Sequence, residues 1–513
     1  MQPVPEMEAV RWAENRTFLA PGPPNNTTES IRAGDFVFLN HEEHLGWPPS
    51  DWNASALPRL WQYNLHYFDW LWGLEFASVR EGILHWISRH PLGRRQVGWE
   101  AYPISLRLIN WCAVCFGQFR AQTQADPEFM RALWHSIYLQ AEWLLRHLEA
   151  HLLGNHLFEN GAALAFVGSC FGGAAGARWL EEGLRILDRE IPEQILPDGM
   201  HFERSPMYHV RITYLLRLLQ DTGNDALCAL VAEPLVRMRK ALACLCHPDG
   251  GIALLNDSAF GVYPESSALL EGDCSQANGA WALPDAGYYG WRGDDGAYIV
   301  CDAGPIGPDY IPGHAHGDIF SFELSLKGQR VIVDSGVYDY VAGPMREYCR
   351  STRAHNTIEI NGADQCEFWG AFRVGKRGRP REVEWDADSD GFRLSAWHDG
   401  YARLPGGPVH RRTIQWEATK RLVVCDQIRS RQPVHTVSRL HFHPSCEIER
   451  VDAHNVNVRF PAGQIQIVLE GDGELRMEDA HYCPEFGRRE PNIALAYAAD
   501  GTEIESRSTV LLA

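Results

Sequence analysis

The chain changes its hydrophobic rhythm part-way along. Over residues 127–150 (PEFMRALWHSIYLQAEWLLRHLEA) apolar positions recur three and four apart, the spacing of one helix face, and Pro127 suits a first helical turn. Residues 178–193, 207–221 and 224–247 repeat that spacing, with breaks rich in Gly, Pro and Asn between them. Amphipathic helices in succession, with little strand signal, predict an all-α domain over residues 1–270. From Gly287 the rhythm becomes alternation. YYGWRGDDGAYIVCDAG, FSFELSLKGQRVIVDSG, TIEING, FRLSAWHDG, RLVVCDQIRS and VNVRFPAGQIQIVLEGDGELRME read as strands parted by Gly, Asp and Asn turns. That pattern predicts an antiparallel β-sandwich over residues 271–513, with the Ser-, Gly-, Ala- and Pro-rich stretch 262–285 as a linker. The expected fold class is α+β and multidomain, helical first and β second.

Composition narrows the function classes. A length of 513 residues exceeds one ordinary core, and 45% hydrophobic with 22% charged residues is globular. A formal charge of -19 argues against a nucleic-acid partner, because phosphate binding needs a basic stripe. It leaves room for an anionic ligand held by a local Arg and His cluster. The 18 Trp, 17 Tyr and 21 Phe suit a carbohydrate-binding protein, since sugar rings stack on flat apolar faces, although most aromatics serve the core. The 13 cysteines show no framework spacing, and Cys112 and Cys115 lie in an apolar helical context with no second CxxC. They read as buried thiols of a reducing compartment. No signal peptide opens the sequence given, and no stretch reaches 18 apolar residues, so no membrane partner is expected. The expected location is cytoplasmic as written, and periplasmic or secreted if a leader was removed.

Four clusters carry candidate chemistry. In GNHLFENG, Asn155, His156 and Glu159 share one side of a helix that opens at Gly154. PDGMHFERSPMYHVRITYLL places His201, Glu203, Tyr208, His209 and Arg211 together, more polar groups than a packing helix needs. HAHGD sets His314 and His316 two apart, on one face if the segment is a strand. Asp334 interrupts the apolar run VIVDSG, and His355 opens a further strand. A charge in such a run is costly unless paired or bound to metal. His316, Asp334 and His355 therefore offer either a divalent ion such as zinc or a hydrogen-bonded His–Asp–His network.

These stretches resemble the heparinase II/III family of polysaccharide lyases. The resemblance runs through LPRLWQYNLHYFDWL (57–71), WEAYPISLRLINW (99–111), GNHLFENG and PDGMHFERSPMYH, and is strongest in GHAHGDIFSFELSLKGQRVIVDSGVYDY and REYCRSTRAHNTIEING. It implies an N-terminal incomplete (α/α) toroid followed by a C-terminal antiparallel β-sandwich. It implies an enzyme that cleaves a uronic-acid-containing glycan (glycosaminoglycan, alginate or bacterial exopolysaccharide) by β-elimination. Asn155 and His156 would bind the uronate carboxylate; Tyr208 would protonate the leaving oxygen and, where C5–H and O4 share a face, also serve as base; His314 would be the base from the other face. Glu159 would orient His156 or a sugar hydroxyl. His316, Asp334 and His355 would hold a structural zinc, with no organic cofactor. Tyr102, Arg107, His209, Arg211, Tyr348 and Arg353 are candidates for the cleft wall. The expected partner is an anionic polysaccharide or oligosaccharide, for a monomer or homodimer. Rival readings are a glycoside hydrolase using Glu159 and Glu203, a metal-dependent oxygenase using His314 or His316 with Asp334 and His355, and a non-catalytic glycan-binding protein.

Overall fold

The computed structural model describes residues 4–22, 25–93, 96–270 and 278–512. The helical rhythm forms the helices it predicts: Pro127–Arg146, Gly173–Gln194, Pro206–Asp221 and Asp225–Leu245. The Asp126 carboxylate accepts the Phe129 N–H and Pro127 opens the first turn, so the first of these is capped by its own sequence. Arg59–Tyr67, Phe76–Arg89, Ala101–Cys112 and Gly154–Cys170 add further helices. Ala101–Cys112 is buried along its whole length, and the thiols of Cys112 and Cys115 are buried as well. A hairpin that the sequence pattern does not announce, Asp35–Phe38 with His41–His44, turns on Leu39 and Asn40, both left-handed at φ 56° and 57°.

The β region is two antiparallel sheets. One has five strands in sequence order: Gly279–Leu283, Tyr288–Arg292, Tyr298–Asp302, Phe322–Leu326 and Gln329–Ile332. The other has ten and is built around the long strands Arg421–His441 and Glu490–Leu512. Ile299, Phe322 and Leu324 of the first pack in one apolar cluster with Leu394, Ile414 and Val424 of the second, which makes the pair a sandwich. The stretch 262–285 is not simply a linker: it contains the helix Ser266–Leu269 and the first strand, with Trp281 buried. Its residues 271–277 lie outside the described residues.

Compactness divides the chain into two units, but not at one cut. One unit takes the residues up to Ile195, with Arg211–Val236 and Gly261–Glu265; the other takes Leu196–Val210, Arg237–Phe260 and everything from Ser266. The reason lies in the five-stranded sheet. Tyr298–Asp302 is buried at every position, with Ile299 and Cys301 facing the sandwich core and Tyr298 and Val300 facing the other way. That second face is covered by Met200, Ala241, Leu245, Ala253 and Leu255. Two stretches of the helical half of the sequence are therefore part of the β unit, and Tyr208 goes with them.

Candidate active site

In the β unit, Tyr208 and His314 meet. Pro206–Asp221 begins after Ser205, whose hydroxyl accepts the Tyr208 N–H at 3.2 Å and donates to the Asp257 carbonyl at 2.6 Å. This cap fixes Tyr208 in the first turn. Arg204, just before it, is left-handed at φ 58°, held by its guanidinium on the carbonyls of Phe202, Asp285 and Ala286. The Tyr208 ring lies 4.1 Å from the His314 ring, and its hydroxyl is 3.2 Å from that of Tyr340. His314 and His316 sit in a loop, not on a strand; the strand begins at Phe322. Both imidazoles nonetheless reach one carboxylate. His314 Nδ1 donates to Asp257 Oδ2 at 2.8 Å, and His316 Nε2 donates to Asp257 Oδ1 at 2.8 Å. Arg346 grips both oxygens of the same carboxylate, at 2.8 Å from Nη2 to Oδ2. Burial raises the Asp257 carboxyl, but Arg346 and the two histidines outweigh it and hold it well below the usual range. The other face of His314 meets Glu203, whose Oε2 is 3.4 Å from Nε2.

Of the three expected metal ligands, Asp334 and His355 are hydrogen-bonded to each other, whereas His316 is bonded to Asp257. Asp334 lies just past the strand Gln329–Ile332, and both its oxygens take the Nδ1–H of His355, at 2.8 and 3.1 Å. Burial disfavours the His355 cation, and the Asp334 carboxylate outweighs that, pushing its pKa up to about 9. Burial pushes His316 down to about 3. Among the described residues no three His, Cys, Asp or Glu side chains are gathered for a metal ion. Three buried atoms nearby have no hydrogen-bond partner: His316 Nδ1, His355 Nε2 and Asp318 Oδ1. The two rings are 5.3 Å apart. By donor type these groups suit a divalent cation.

In the helical unit, His156 is paired with Glu149, 3.0 Å from Nδ1 to Oε1, and its ring lies 4.5 Å from Tyr102. Glu149 is itself held by Asn160, through 2.8 and 3.0 Å hydrogen bonds. The expectation that Glu159 orients His156 fails. Glu159 is fully buried and takes the Arg211 guanidinium on both oxygens, 2.8 Å from Nη2 to Oε2. At the first turn His156 reaches back over the preceding loop, while Glu159 points into the helix packing. Arg211 is bonded to Glu159 and lies over the rings of Tyr214 and Tyr263, so the two buried charges are turned to each other. Arg107 and His209 are likewise buried in the core: Arg107 is bonded to Gln140 and two carbonyls, and His209 to the Met238 carbonyl. Tyr348 and Arg353 pack on each other, and the Tyr348 hydroxyl accepts the His481 N–H. The buried Glu159–Arg211 pair leaves the hydrolase reading without one of its two carboxylates.

Similarity agrees with the fold. The family description "Heparinase II/III N-terminus" matches residues 80–265, and "Heparinase II/III-like, C-terminal" matches residues 275–509. A heparin-sulfate lyase of Pedobacter heparinus is 25% identical over 381 residues, covering 67% of this chain and 54% of that protein. The chain thus spans about half the length of that relative, as it does of a Bacteroides thetaiotaomicron heparin-sulfate lyase at 54%. FtsZ-localized protein C of Caulobacter vibrioides is 22% identical over 85% of this chain and 78% of its own length. A crystal structure of heparinase III superposes with a TM-score of 0.71 at 17% identity, covering 88% of this chain and 76% of that one. Heparan sulfate lyase HepC from Pedobacter heparinus superposes at 0.64 and 18% identity, covering 95% and 82%. The chain belongs to the heparinase II/III-like family.

Proposed function

We propose that this protein is a polysaccharide lyase that cleaves a uronate-containing glycan, of the heparan sulfate class named for its relatives, by β-elimination. The observation that carries the reading is the contact of Tyr208 with His314 at 4.1 Å, with His314 backed by a buried carboxylate. β-Elimination needs a base at C5, an acid at the leaving oxygen on C4, and donors that neutralise the uronate carboxylate as the enolate develops. His314 takes the C5 proton on Nε2. The C5 electron pair forms the C4–C5 double bond, the C4–O bond breaks, and Tyr208 supplies the proton to the departing oxygen. Asn155 and His156 are assigned to the carboxylate by donor type; Glu149 on Nδ1 favours a ring whose Nε2 points away from it. A structural zinc on His316, Asp334 and His355 belongs to the same reading, supported by the unpartnered ring nitrogens. Metal analysis of the purified chain and of His316→Ala tests it, the variant being expected to lose the metal and melt lower.

The lyase test is direct. Products of β-elimination absorb in the ultraviolet because of the new double bond. Heparan sulfate and a panel of other uronans should give that absorbance with the wild type. Tyr208→Phe should lose roughly 10²–10⁴-fold in rate with little change in KM. Near-wild-type turnover by that variant would remove Tyr208 from the reaction. The rival reading is a non-catalytic glycan-binding protein. Binding of the panel without any absorbance change would favour it.

A further inference from the structure

Asp257 is a fully buried carboxylate of the β unit with four side-chain hydrogen bonds, and it takes no proton in the elimination step. It ends the apolar run IALLND. Its side chain takes the Nδ1–H of His314, the Nε2–H of His316 and two N–H groups of Arg346. Its backbone is tied to the same site. The Asp257 N–H donates to the His314 carbonyl at 3.1 Å, and its own carbonyl accepts the Ser205 hydroxyl that caps the Tyr208 turn.

We propose that Asp257 is a positioning residue that fixes both the tautomer and the place of His314, and through Ser205 the place of Tyr208. The inference rests on the lyase reading for its kinetic meaning only. A neutral imidazole carries one proton, and a carboxylate facing Nδ1 keeps it there. The lone pair is then on Nε2, the nitrogen that must take the C5 proton. When that proton arrives, the C5–H bond breaks and the Nε2–H bond forms. The resulting imidazolium keeps Asp257 behind it, and its new N–H meets the Glu203 carboxylate 3.4 Å away. Arg346 has a separate task. It balances the Asp257 charge, so that a carboxylate shared by two imidazoles persists without water. The logic is that of the Ser-His-Asp triad, where an Asp→Asn change leaves the geometry intact and gives the wrong tautomer.

The test is Asp257→Asn. With Arg346 holding the amide oxygen, the amide N–H₂ faces His314 Nδ1 and selects the Nε2–H form. On heparan sulfate, kcat should fall roughly 10²–10⁴-fold while KM changes less than about threefold. A loss confined to KM, or none, overturns the proposal. ¹⁵N-imidazole NMR of the full chain, with His314 identified by its loss in His314→Gln, supplies an arm that needs no substrate. Wild type should show the Nδ1–H form and Asp257→Asn the Nε2–H form. An Nε2–H form in wild type overturns the proposal even if the variant does not fold. If wild type shows no lyase activity on any uronan, the lyase reading fails while the NMR arm still decides the role of Asp257.

Discussion

Removing the charge of Glu159 strands the Arg211 guanidinium in a buried site. Glu159→Gln should therefore cost about 3–5 kcal/mol, because the remaining cation stays desolvated without a counter-charge. A urea midpoint measurement checks this, with Glu142→Gln, on a pair whose arginine is half exposed, as a milder comparison. The same two residues show how far sequence can be read at this scale. Helical spacing puts Glu159 beside His156, but burial, which spacing does not carry, assigns Glu159 to Arg211 and leaves Glu149 for the histidine. Asp334 is legible because it breaks an apolar run. Asp257 ends a run of the same kind, yet its partners lie 57, 59 and 89 positions away, and nothing local marks them.

The helices Gly154–Cys170 and Gly173–Gln194 touch through small residues. A Cβ on Gly168 would lie 2.3 Å from Leu180 N, and one on Gly183 would lie 2.4 Å from Ala165 N. Backbone cannot yield to a methyl as a side-chain tip can, so Gly168→Ala should destabilise by about 1–3 kcal/mol and lower Tm, measurable by calorimetry. As Asn155 and His156 sit on the first of these helices, the variant should also raise KM for any substrate cleaved. At this scale most of the architecture is written in hydrophobic periodicity. The helices over 127–146, 206–221 and 225–245 are predicted by it. What escapes is short or locally atypical: the hairpin at 35–44, turning on two left-handed residues, and the strand Gly279–Leu283, whose Gly- and Ala-rich sequence resembles a loop. The HAH segment alternates like a strand but is a loop, so its two histidines converge through Asp257 instead of through strand geometry.

For the whole molecule, buried neutral histidines set the response to acid. Burial lowers His90 and His209 to about 4, and holds His66, His201 and His398 well below the usual histidine value. In the unfolded chain each takes a proton near pH 6.5, so the folded state is favoured fully above that value. The advantage is lost as pH falls toward 4, on the order of 3 kcal/mol for a group moved that far. Asp69 and Asp318, raised by burial to about 6, work in the opposite direction, as do Asp302, Asp334, Asp339, Asp364 and His355, all raised. The lowered histidines, which also include His247, His316, His410 and His441, outnumber them, so the urea midpoint should drop between pH 6.5 and 4. The division into units yields another prediction. A fragment starting at residue 271, the border that periodicity suggests, lacks Asp257 and the outer cover of the five-stranded sheet. It should be poorly soluble and lack near-ultraviolet circular dichroism.

The chain changes unit five times, at 195, 210, 236, 260 and 265. Biosynthesis therefore reaches Tyr208 and Asp257 long before the segments they pack on. At ribosomal rates of about 5–20 residues per second, Asp257 waits roughly 4–18 s for Arg346, 89 residues later. During that interval the nascent chain holds a carboxylate destined for burial, and an apolar strand cover, with nothing to close over them. The candidate catalytic centre of the β unit is therefore incomplete until Arg346 has been made. A destabilising change in its C-terminal strands would be felt first as failure to mature.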